Sequence, residues 1–249
     1  MNMSSAPSTA ATPREARRDP ARPSSRLERD LRARGMERIA GVDEVGRGSL
    51  FGPVVAAAVI LEPGKQIRGL NDSKKLDAAT RRILCSRIRE RALSVAVAAA
   101  DSGQIDRWNI YQATRRAMRL AVLALDPLPD CLLVDFMKIE TEIPQRPIIG
   151  GDARSFSIAA ASIVAKVARD QWMEQWDGVF PEYGLASNKG YATPDHLRAL
   201  ERFGPTPLHR YSFEPVASCA RFPAELPPEC GLHTLPLFAD LVPDPERAD

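Results

Sequence analysis

An α/β fold is predicted by the way short, small-residue apolar runs alternate with longer stretches of helical spacing. The runs at 53–61 (PVVAAAVIL) and 94–100 (SVAVAAA) have the length and unbroken apolarity of buried strands. The stretches between and after them place apolar residues three or four apart with arginines on the opposite side, the pattern of helices laid on a sheet. Taken in order, 38–42 (RIAGV) predicts a first strand and 53–61 a second, closed by the turn Glu62-Pro63-Gly64. A helix follows over 78–93, with Ile83, Ile88 and Leu93 as its apolar stripe, and then the strand 94–100. Asn109 is placed to cap a helix running to Leu125, whose stripe is Ile110, Ala113, Ala117, Ala121 and Ala124. After a strand at 132–135, a helix over 155–176 carries Ala159, Ala160 and Ala161, small enough for close approach to a sheet. Thr193 caps a last helix that begins at Pro194 and closes at Gly204.

At 249 residues the chain has length for one sizeable core, and 44% hydrophobic with 27% charged residues is ordinary globular usage. Residues 1–36 are rich in Ala, Ser, Pro and Arg without an apolar periodic face, which predicts a flexible arm. Its Arg-rich start resembles a transit peptide, but Glu15, Asp19, Glu28 and Asp30 count against one. The folded domain is expected over 37–217, followed at 218–249 by a proline-rich acidic tail. A net charge of +2 means that any nucleic-acid binding must come from local basic patches. The 4 cysteines form no CxxC pair and the 3 histidines are scattered, so neither a disulfide framework nor a zinc site is suggested, and a reducing cytoplasm fits. No apolar stretch reaches the about 18 residues of a membrane span.

Chemistry is concentrated in a few carboxylates. Asp43 and Glu44 follow an apolar run and precede Gly46-Arg47-Gly48; a strand ending at Val42 would deliver both to a sheet edge, clear of the burial that makes unpaired carboxylates costly. The glycines let a ligand approach the backbone, and Arg47 brings a fixed positive charge. Asp135 ends the apolar run CLLVD, and Asp152 stands between a glycine pair and a helix. Hard cations such as Mg²⁺ take oxygen ligands, and a two-metal site holds its ions about 3.5–4 Å apart with several carboxylates. Spacing alone leaves open the alternative of unrelated strand-end and cap acids.

The strings GVDEVGRGSLFGPVVAAAVIL, GLNDSKKL, NIYQATRRAM, LLVDF, GDARSFSIAAASIVAKVARD, NKGYAT and HRYSF stand in this order. Together they resemble bacterial ribonuclease HII, the type 2 ribonuclease H, over about residues 38–216. The resemblance implies a ribonuclease H-like fold, a central mixed sheet flanked by helices with a small C-terminal helical part. It implies a monomeric endoribonuclease that cuts the RNA strand of RNA–DNA hybrids and nicks 5′ of single ribonucleotides in duplex DNA, leaving 5′-phosphate and 3′-hydroxyl ends. Mg²⁺ or Mn²⁺ would be held by Asp43, Glu44, Asp135 and Asp152. Gly46, Arg47, Gly48 and Tyr191 would read the ribose 2′-hydroxyl, and Lys74, Asn109 and Gln112 would contact the nucleic-acid backbone. Ser49, Phe51, Phe136, Asn188 and Ala192 depart from the family pattern, the last three standing where glycine, histidine and glycine are usual.

Other residues keep two readings. Lys74 and Lys75 suit a solvated turn or phosphate contact; Lys166 and Arg169 either pair with Asp170 or Glu174 or face substrate; His209 and Arg210 favour a structural role. Residues 234–238 (TLPLF) resemble the peptides by which repair proteins dock on a sliding clamp, with Thr234 where glutamine is preferred, unless Leu235, Leu237 and Phe238 fold back on the domain. Two rivals remain. A different nuclease of the superfamily would share the acids but not the Gly-Arg-Gly turn with a remote tyrosine, and a non-catalytic hybrid-binding protein would need a broken metal site.

Overall fold

The structure is a computed structural model that describes residues 22–220. Its centre is a five-stranded sheet formed by β1 (Ile39–Val45), β2 (Val54–Leu61), β3 (Ala92–Ala100), β4 (Cys131–Asp135) and β5 (Gln145–Ile148) in the order β3-β2-β1-β4-β5. The first three strands are antiparallel neighbours, while β4 lies parallel to β1 and β5 parallel to β4. The sheet is therefore mixed, as the resemblance implies.

Before the sheet comes α1 (Arg26–Arg32); α2 (Ala78–Arg91) and α3 (Ser102–Leu123) flank β3 in the chain, and α4 (Phe156–Asp177) follows β5. One core joins Val55, Ala57 and Val59 of β2 to α2 and α4, and the other joins Ala56, Ala58 and Val42 to α3. The alternation along β2 thus sends successive side chains to opposite helical layers. The backbone of α4 lies directly on β1: a Cβ at Gly41 would collide with the main chain of Ser157 and Ile158. Beyond the sheet, α5 (Leu185–Asn188), α6 (Pro194–Phe203) and α7 (Val216–Cys219) make the small C-terminal helical part, closed by buried Leu50, Leu200 and Val216.

Several expectations need correction. β1 does not stop at Val42 but continues through both acids to Val45, in the middle of the sheet, so Asp43 is buried rather than at an edge. The arm expected to reach residue 36 contains α1, because Glu28 and the apolar pair Leu27 and Leu31 dock it. The Glu28 carboxylate accepts from Ser155 Oγ at 2.6 Å and from Ser157 N and Oγ at 2.9 and 2.8 Å, filling the N-terminus of α4. Leu27, Leu31 and Met36 pack on Ile39, Leu133, Ile148 and Ile158.

Helix α2 ends at Arg91, with the chain turning straight into β3, so Leu93 belongs to the strand; the helix buries Leu84, Cys85 and Ile88 and leaves Ile83 exposed. Asn109 does cap a helix, accepting from Tyr111 N and Gln112 N at 3.0 and 3.1 Å, but a further helical segment precedes it from Ser102. That segment begins with a capping box of Asp101 and Gln104, and Asn109 at φ 67° and ψ 160° breaks the two apart. Strand β5, with Pro147 in it, was not anticipated; it lies at the sheet edge, where proline is tolerated. The peptide 234–238 lies outside the described residues.

Candidate active site

Asp43 and Asp135 lie one step past the paired Val42 and Val134, at the same end of two parallel neighbouring strands. Asp43, Glu44 and Asp152 are buried or nearly so, and each of three acids rests one oxygen on a backbone amide. Asp43 Oδ1 accepts from Glu44 N at 2.8 Å, Asp135 Oδ1 from Gly151 N at 2.7 Å, and Asp152 Oδ1 from Ala153 N at 2.9 Å. Lys74 Nζ stands 3.6 Å from Asp152 Oδ2. Burial lowers the Lys74 pKa, but the charges of Asp152, Asp72 and Asp43 outweigh it and leave it raised.

The acids are electrostatically coupled. Burial, then the charges of Glu44 and Asp135, push Asp43 well above the usual carboxylate range. Glu44 is raised by burial against the opposing pull of Arg47, and Asp135 is raised by burial with Asp152 adding to it. Glu44 Oε2 is buried with no hydrogen-bond partner. Such a set of repelling oxygen donors suits a hard divalent cation, which would supply the missing counter-charge. Among the described residues, however, no three Asp, Glu, His or Cys side chains form a ready-made shell around one ion.

Two serines that sequence reading passed over belong here. The Ser162 hydroxyl pulls the Asp43 pKa down against its burial, and Ser162 Oγ lies 2.9 Å from Ser73 Oγ. A serine inside the otherwise apolar run AAASIVA was the available signal.

The Gly46-Arg47-Gly48 turn is held from below by two fully buried arginines. Arg210 donates from Nη2 to Gly46 O (2.7 Å), from Nη1 to Arg47 O (2.8 Å) and from Nε to Gly52 O (2.9 Å). Arg169 donates to Ser49 Oγ (2.7 Å), Phe51 O (3.1 Å), Pro53 O (3.1 Å) and Lys189 O (2.8 Å). These are neutral oxygens, so the two cations are stabilised by dipoles; burial and then the charge of Arg169 bring Arg210 down to about 9. With the Gly46 and Arg47 carbonyls engaged inward, the amides of Arg47 and Gly48 donate to no acceptor among the described residues, and Gly48 faces open space. Arg47 reaches Glu44 Oε1 with Nη1 at 3.4 Å, and its Nε is buried without a partner.

Tyr191 is brought to the same place. Leu50 N donates to Gly190 O at 2.8 Å, and the Arg169 guanidinium lies 5.6 Å from the Tyr191 ring. The Tyr191 carbonyl accepts from His196 Nδ1 (2.9 Å), His196 Nε2 meets His209 Nε2 (3.1 Å), and His209 Nδ1 takes the Thr206 amide (2.9 Å). Those bonds assign the proton to Nδ1 of His196 and Nε2 of His209. Lys166 pairs with Asp170 at 2.7 Å, whereas Arg169 is buried on neutral oxygens and takes neither the ion pair nor the substrate-facing position. Asn109 and Gln112 are exposed beside Arg115, which donates to Gln112 Oε1 at 3.0 Å.

Residues 40–216 match the family model described as Ribonuclease HII. A ribonuclease HII of Solibacter usitatus is 62% identical over 199 residues, covering 80% of this chain and 87% of the relative. One from Geobacillus thermodenitrificans is 54% identical over 191 residues, covering 77% and 74%. The chain belongs to the ribonuclease HII family. It is accordingly an enzyme, a type 2 ribonuclease H endonuclease. Among solved structures, the PCNA:RNase HII complex of Archaeoglobus fulgidus is similar with a TM-score of 0.62 at 25% identity, covering 71% of this chain and 95% of that one. Bst-RNase HIII in complex with Mn²⁺ shares the fold with a TM-score of 0.57 at 24% identity, covering 73% and 68%.

Three of the departures from the family pattern, Ser49, Phe51 and Asn188, have local explanations. Ser49 is a partner of buried Arg169 and donates to Phe51 O at 2.9 Å. Phe51 is fully buried, edge-on to Trp176 and His209. Asn188 ties the loop before Tyr191, donating to Tyr183 O at 2.6 Å and accepting from Gly190 N at 2.7 Å.

Proposed function

We propose that this ribonuclease HII hydrolyses the RNA strand of RNA–DNA hybrids and nicks 5′ of single ribonucleotides embedded in duplex DNA, leaving 5′-phosphate and 3′-hydroxyl ends. The observation that carries the reading is the meeting of coupled, buried carboxylates with a turn whose outward amides lack acceptors. Glu44 Oε2 among those carboxylates and Arg47 Nε in that turn are both buried and unpartnered.

Asp43, Glu44, Asp135 and Asp152 would hold Mg²⁺ or Mn²⁺, which when bound activates water and stabilises the leaving 3′-oxygen. The Mn²⁺ complex of the related type 3 enzyme supports that metal class. Ser162 favours the charged form of Asp43. The amides of Arg47 and Gly48 offer donors to the 2′-hydroxyl, the group that separates RNA from DNA. Tyr191 packs its ring on the neighbouring deoxyribose, and Lys74, Asn109 and Gln112 lie along the phosphates. A monomer acting in the cytoplasm is part of the proposal; no helix among the described residues is long and apolar enough to cross a membrane. Docking of residues 234–238 on a sliding clamp is included too, supported by the PCNA complex of the Archaeoglobus relative.

The test is incubation with a duplex bearing one ribonucleotide, in Mg²⁺, Mn²⁺ or EDTA, with the cut mapped. Metal-dependent incision 5′ of the ribonucleotide is expected. Equal cutting of a duplex containing only deoxyribonucleotides would overturn the reading.

A further inference from the structure

Asp135 closes β4, and the chain must leave the sheet at once without moving that carboxylate. It does so in a three-residue turn: Met137 N donates to Asp135 O at 2.7 Å, Phe136 N donates to Ile148 O at 3.1 Å, and Phe136 between them has φ 62°. A turn of this kind with positive central φ is rare and strained, and for a bulky side chain it is an outlier. Met137 and Ile139 return to the core, each 3% exposed, while the Phe136 ring is thrown outward and left 53% exposed.

Glycine would adopt this backbone without steric cost and would expose no apolar side chain to water. Nothing in the packing of the domain calls for an aromatic ring there. Among the described residues, Phe136 alone combines a left-handed backbone with an exposed large apolar side chain. Its one marked neighbour is Arg47, whose Cζ lies 5.7 Å from the ring centroid. The same guanidinium reaches Glu44. The ring is thus steadied on one side by the residue in the centre of the Gly-Arg-Gly turn, directly after the third carboxylate. Strain kept at such a place points to use by a ligand.

We infer that Phe136 is a substrate-contacting residue that adds affinity, its exposed face packing on a nucleobase or sugar next to the cleaved phosphate. The inference rests on the nucleic-acid reading above. It adds a contact that tolerates any base, since every base has a π-face, and so contributes affinity rather than sequence preference.

The test uses the full chain carrying Asp43→Asn, so that binding is measured without cleavage, and a labelled duplex with one ribonucleotide. Phe136→Gly should weaken binding about tenfold, Phe136→Leu less, and Phe136→Trp should bind at least as well as the parent. The melting temperature of Phe136→Gly should be equal to or above the parent's, because the backbone strain is gone. Irradiation of duplexes carrying 5-iodouracil beside the ribonucleotide should crosslink at Phe136. Affinity of Phe136→Gly within about twofold of the parent would overturn the contact, as would a lower melting temperature with unchanged affinity. A parent protein that binds no duplex at all would overturn the functional reading and this inference together.

Discussion

Arg210 Nη2 donates to the carbonyl of Gly46 across 2.7 Å, so a fully buried cation from near the end of the described chain sets the direction of the turn that follows the first two carboxylates. The same guanidinium takes the Arg47 carbonyl. Arg210→Lys keeps the charge but loses the planar fork, stranding one or both carbonyls; a loss of about 2 kcal/mol in denaturant unfolding is expected. Cleavage of a ribonucleotide-containing duplex should fall further than that destabilisation explains at a temperature where the variant is folded. Unchanged unfolding and cleavage would contradict this role.

Gly46 has φ 89°, and a Cβ on it would collide with the Arg169 guanidinium. Gly46→Ala therefore combines a strained backbone with displacement of a buried arginine, and should destabilise by about 2–3 kcal/mol. Gly48→Ala meets open space and should leave the melting temperature nearly unchanged while reducing incision. Equal melting curves for the two alanine variants would refute the distinction.

The buried histidine pair gives a pH dependence. Burial, then the neighbouring His196, brings His209 down to about 3, below its unfolded value. The folded state then binds fewer protons than the unfolded chain between about pH 6.5 and that value, so stability is fully present above the window and is lost as pH falls through it. Denaturant midpoints at pH 7 and pH 5 should differ more for wild type than for His209→Gln. Parallel losses in both proteins would show that other groups carry the acid sensitivity.

Glu28 supplies three accepted hydrogen bonds at the start of α4, and Glu28→Ala should cost about 2 kcal/mol, with Glu28→Gln milder. Thermal melts of the two variants check this. A silent Glu28→Ala would return α1 to the status of a dispensable arm.

The strands β2 and β3 and the helices α4 and α6 were legible because unbroken small-residue runs and cap residues are local signals. The burial of Asp43 was not, since a strand continuing through two acids has no apolar mark at the point where it stays in the sheet. Strand β5 was hidden by Pro147 and its polar neighbours. Helix α1 was masked by the Ala, Ser, Pro and Arg around it, although Leu27 and Leu31 are four apart, with Glu28 between them. The acids, the glycine-flanked arginine and Tyr191 were named from motifs, but what holds them was not. Ser73 and Ser162 meet from 89 positions apart, and Arg169 and Arg210 bind backbone carbonyls, which leave no trace in side-chain sequence.

The central claim is that the coupled carboxylates are a metal-dependent cleavage site selective for ribonucleotides. Its most direct measurement compares wild type, Asp43→Asn, Asp135→Asn and Asp152→Asn on a duplex with one ribonucleotide in Mg²⁺, with binding and melting temperature followed in parallel. Incision 5′ of the ribonucleotide by wild type is predicted, with loss of about a hundredfold or more in the first two variants, a milder loss in the third, and binding and folding retained. Wild-type rates in Asp43→Asn or Asp135→Asn would contradict the account.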